Sequence, residues 1–148
     1  MDKPMDDYDK FDVLGQFLIE ALKDEPLEVL EDIFAGKNST GQTRGLYEAI
    51  RNLDDASKDI VRDCVTKTAI FGIYSLLMKL EYYNSAEKGI AVTAFGDDIC
   101  EIADGPLCWY LNGDPYSWEE KFSKFPTLHS VYDKYPAPAK PAEDKKIK

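Results

Sequence analysis

Residues 56–82 carry two apolar stripes at helical spacing: Ile60, Cys64, Thr68, Phe71 and Ser75, beside Val61, Val65, Ala69, Gly72 and Leu76. Positions three and four apart share one side of a helix, and two adjacent stripes make a wide face to bury. The stretch therefore predicts a long helix, capped by Asp54 or Asp55, running through the centre of the fold. Gly72 in its middle costs about 1 kcal/mol of helix propensity, a cost that close approach of another element would offset.

Upstream, Phe11, Leu14, Leu18 and Leu22 give residues 8–23 one apolar helical face. Pro26 disfavours helical geometry in the residue before it, so this helix should stop near Lys23-Asp24. A second helix should start there, with Asp24 or Glu25 as its cap and Pro26 in its first turn. Leu27, Leu30, Ile33 and Phe34 form its buried side, Gly36 its stop, and Glu25, Glu28, Glu31 and Asp32 its outer side. The polar stretch 36–45 reads as a loop, and Leu46, Ile50 and Leu53 as a short third helix.

Downstream the period changes. Residues 90–95 alternate in the two-residue manner of a strand, with a turn at Gly96-Asp97-Asp98. Residues 99–103 and 107–111 are expected to continue a three-strand antiparallel meander. Ser117 and Glu120 make a capping box for a helix reaching about Lys124, and Thr127 caps a last turn through Asp133. The whole predicts a helix-rich α+β domain: about four N-terminal helices, one of them long and central, then a small β-meander and two short C-terminal helices.

Of the 148 residues, 1–135 are expected to fold as one domain, and 136–148, rich in Pro, Ala and Lys, to form a disordered tail. The tail carries +2 of a total of −10, leaving −12 on the folded part. Such an excess opposes unaided binding to nucleic acid, and no apolar run has the length of a membrane span. The acidic start lacks a secretory pattern, and three cysteines make no disulfide framework; a soluble cytoplasmic protein is expected.

Catalytic and metal motifs are weak. Gly36-Lys37-Asn38-Ser39-Thr40 lacks the glycine spacing and the Lys-Ser/Thr step of a phosphate loop. Asp97, Asp98, Glu101 and Asp104 do not follow the ligand order of a calcium loop, and no cysteine pair has zinc spacing, so no metal or cofactor is expected. His129 is the single histidine, and an enzyme built on it would need Glu101 and Asp104 brought close by folding. Aromatic residues crowd positions 109–135, where Tyr110, Tyr116 and Tyr135 are expected to stay partly exposed.

The acids of the second helix and of the hairpin turn have few nearby lysines. Glu25, Glu28, Glu31, Asp32, Asp97 and Asp98, with Tyr110 and Tyr116 as aromatic anchors, are therefore the expected surface for a basic protein partner. Immunity proteins that neutralise secreted toxins share this description of a small, acidic, non-enzymatic cytoplasmic protein; the likeness is one of physical character and no motif carries it. An adaptor that homo-oligomerises through the aromatic segment is the alternative, and a small hydrolase the third.

Overall fold

The computed structural model describes residues 6–37, 41–84, 89–113, 117–125 and 134–138. Helix α1 spans Asp7–Ile19, and its N-cap Asp6 accepts a hydrogen bond from the Asp9 amide. It does not stop before Pro26. A π-helical turn, Glu20–Asp24, carries it directly into α2, Glu25–Phe34, as one rod. Proline offers no N–H and its ring crowds the carbonyl four residues back. The widened turn absorbs one extra residue, and the Glu25 amide donates to the Glu20 carbonyl five residues back. Asp24 is not a side-chain cap.

The same turn alters which residues face inward. Lys23 and Asp24 are buried, while Leu22, expected on the apolar face, is exposed. Phe11 and Leu18 of α1 and Leu27, Leu30 and Ile33 of α2 are buried as expected from their spacing, and Ile19, outside the expected face of α1, is buried with them.

Helix α3, Arg44–Arg51, follows, and α4 runs over Asp55–Asn84 behind its cap Asp54, whose carboxylate accepts from the Ser57 amide at 2.8 Å. That bond holds the Asp54 carboxyl below its ordinary value. The long helix is present, but it is not surrounded. Thr66, Ile70, Ile73 and Leu77 face the core, whereas Ile60, Phe71 and Leu76 are exposed. The described elements form a layer on one side of α4 only. Gly72 faces open space, so no close approach compensates its cost.

The β part is a two-stranded antiparallel hairpin, β1 Thr93–Ala94 and β2 Asp97–Asp98, with Thr93 opposite Asp98 and Ala94 opposite Asp97. Its two-residue turn is Phe95-Gly96, both at positive φ, the geometry that matches strand twist. The expected second and third strands are helices: α5, Ile99–Ile102, and α6, Trp109–Asn112. Asp98 caps α5 by accepting from the Cys100 amide at 2.9 Å. Pro106 opens the turns into α6, with the Trp109 amide donating to its carbonyl at 3.0 Å. These local helix starts override the alternating pattern.

Helix α7, Trp118–Phe122, has the expected Ser117 cap, which accepts from the Glu120 amide. Its Trp118 lies in the core with Phe11, Ile19, Ile73, Ile99 and Leu111. The expected turn at 127–133 lies outside the described residues, as does the tail beyond 138. Among the described residues, no helix is long and apolar enough to cross a membrane.

Asp98 also accepts from Asn84 Nδ2 at 3.0 Å, tying the end of α4 to the hairpin. Asp98→Ala is expected to lower unfolding free energy by about 1 kcal/mol in urea titration, and Asp98→Asn by less than half of that.

Candidate functional site

The expected acids fall into two groups at opposite ends of the rod. Asp97 and Asp98 sit beside the start of α1, where Lys10 pairs with Asp97 and is held above its ordinary value by that bond. Glu25, Glu28, Glu31 and Asp32 lie on α2, about 20 Å further along at 1.5 Å per residue. They do not form one surface.

The α2 acids also have cations that chain spacing hides. Lys124 donates to Glu28 at 2.9 Å, and Glu28 holds that lysine above its ordinary value. Arg62 of α4 grips both oxygens of Glu31, with Nη2 at 3.0 Å from Oε2, and stacks over the Phe34 ring. Lys37 donates to Asp32 at 2.9 Å. The Glu25 carboxylate is exposed, with no ion pair or side-chain hydrogen bond among the described residues.

Tyr110, expected at the surface, is only 5% exposed. Its ring is stacked between Phe11, at 4.6 Å, and Trp118, at 5.6 Å, so it belongs to the core and cannot anchor a partner. Helical geometry at 109–112 turns Tyr110 inward and leaves Trp109 outside. Tyr116 and His129 lie outside the described residues; Glu101 and Asp104 are exposed.

What periodicity alone did not single out is the rest of the rod's outer face. Asp9, Val13, Phe17 and Glu20 recur on α1, and Glu25, Glu28, Val29 and Asp32 on α2. The π turn takes up one residue between the two sets, so their three- and four-residue spacing continues along one side. Val13, Phe17 and Val29 are exposed there, Phe17 at 64%. The result is a row of apolar side chains set among carboxylates.

Behind this face is a buried polar cluster. Lys23 Nζ donates to Ser123 Oγ at 2.6 Å and stands 3.4 Å from Glu119 Oε1. Asp24 accepts from Ser123 Oγ at 2.7 Å and from the Lys124 amide at 2.8 Å. Although lysine, serine and aspartate recur in hydrolytic sites, Ser123 is saturated: its hydroxyl donates to Asp24 and accepts from Lys23 and from the Phe125 amide. No lone pair is left for attack. The cluster clamps the chain after α7 onto the π turn.

Among the described residues, no group of three or more histidines, cysteines or acids is placed to hold a metal ion. Comparisons with protein-family models, curated proteins and solved structures found no match, so the fold and the outer face of the rod stand on their own geometry.

Proposed function

We propose that this chain is a non-enzymatic binding protein that takes a basic protein partner along the outer face of the α1–α2 rod. The observation that carries this reading is the alternation of exposed Val13, Phe17 and Val29 with Asp9, Glu20, Glu25, Glu28 and Asp32. Carboxylates steer and orient a lysine- and arginine-rich surface, and apolar side chains supply the desolvated area that holds it. A net charge of −10 adds long-range attraction for such a partner. Inhibition of a basic toxin is the specific form of this function we favour. The free thiols of Cys64, Cys100 and Cys108 fit a reducing cytoplasm.

The test is affinity capture from native lysate with two baits, the unaltered chain and Glu20→Lys/Glu25→Lys. Proteins held by the first and lost by the second should be basic. Binding of a protein so identified should weaken roughly tenfold in the variant and further as salt rises. Capture of no basic protein, or affinity indifferent to salt, would sink the reading.

A further inference from the structure

Helix α4 has two seams. The core-facing residues Thr66, Ile70, Ile73 and Leu77 are spaced four, three and four apart. Ile60, Cys64, Lys67, Phe71, Tyr74 and Met78 are spaced four, three, four, three and four, about 100° around the same helix. All six are exposed, Phe71 at 65% and Ile60 at 53%. A repeat averaging 3.5 residues is what keeps one helix against another along its length. Tyr135, whose hydroxyl donates to Asp63 at 2.7 Å, borders the Ile60–Cys64 end without covering it.

The geometry points to a second copy of this chain on the outer seam, with the two α4 helices antiparallel about a two-fold axis beside Ala69. Three observations select a second copy. The seam is self-complementary: that axis sets Ile60 against the other copy's Met78, small Cys64 against large Tyr74, and the Lys67 stem along the Phe71 ring. The area suffices. At roughly 150–250 Å² per large side chain, exposed Ile60, Phe71, Tyr74, Met78, Tyr82 and their neighbours present on the order of 600 Å² per copy. That approaches the roughly 800 Å² per partner of a stable interface. The helix dipoles set the direction, because a parallel pair would align them and an antiparallel pair opposes them.

This seam is separate from the rod face, and salt distinguishes the two. Copies of charge −10 repel, so the dimer should tighten as salt rises, whereas a basic partner should be released. Sedimentation equilibrium of the full chain should show twice the 16.8 kDa mass. Phe71→Glu should weaken self-association roughly a hundredfold, while Phe17→Glu, equally exposed on the rod, should leave it unchanged. If Phe71→Glu loses helical circular dichroism, Met78→Lys serves in its place. Mild oxidation of Tyr74→Cys should join its new thiol to Cys64 of the other copy. In the unaltered chain the two Cys64 thiols stand about 15 Å apart and should not join. A monomer up to about 1 mM, or a Cys64–Cys64 link in the unaltered chain, would overturn the antiparallel dimer.

Discussion

Lys23→Met is expected to lower the free energy of unfolding by about 3–5 kcal/mol. The corresponding fall in Tm is roughly 10 °C or more. The lysine side chain is fully buried and its ammonium meets Ser123 Oγ and the Glu119 carboxylate. Methionine fills much the same volume, so the loss would report the charge and its hydrogen bonds rather than a cavity. What remains is Glu119 buried without its cation, and an uncompensated buried charge is the costly state. Adding Glu119→Leu removes that charge, and the double variant should recover at least half of the loss. Urea unfolding at pH 7 measures both. A single-variant loss below about 1 kcal/mol, or no recovery in the double variant, would mean that the clamp contributes no net electrostatic stability.

The clamp also marks where sequence stops being informative. Pro26 announces a disturbance in the helix, but a break and a π turn both satisfy a missing N–H. Only the packing of α7 on the rod decides that Lys23 and Asp24, and not Leu22, turn inward. The α2 acids are likewise legible as a helical face, while Lys124 and Arg62, their counter-charges, lie 96 and 31 residues away. In α4 the two stripes correctly predict a long helix. They do not predict its buried side, because Thr66, Ile70, Ile73 and Leu77, the residues that face the core, belong to neither stripe. At residues 99–103 and 107–111, short apolar runs suit either period, and the caps at Asp98 and Pro106 tip them to helix. Tyr110 follows from that switch. A strand alternates its faces, but a helical turn carries residue 110 onto the Trp118 side.

Gly15→Ala should be nearly as damaging, through shape alone. A Cβ at residue 15 would lie 2.3 Å from Cδ2 of Trp118 and 2.4 Å from Cγ, well inside contact distance. The indole has nowhere to retreat: it is fully buried and stacked on Tyr110, which is itself stacked on Phe11. Overpacking of this kind costs about 3 kcal/mol, set against about 1 kcal/mol gained in helix propensity when alanine replaces glycine within α1. The net loss should be about 2 kcal/mol or more in urea unfolding. Trp118→Leu alone should cost about 3 kcal/mol as a large-to-small change in the core. In that background the ring is gone, so adding Gly15→Ala should be neutral or should recover up to about 1 kcal/mol. The sign of the alanine substitution thus reverses with the identity of residue 118, as expected for two groups sharing one space. Equal destabilisation in both backgrounds would show that glycine at 15 serves the backbone of α1 and not the indole that rests against it.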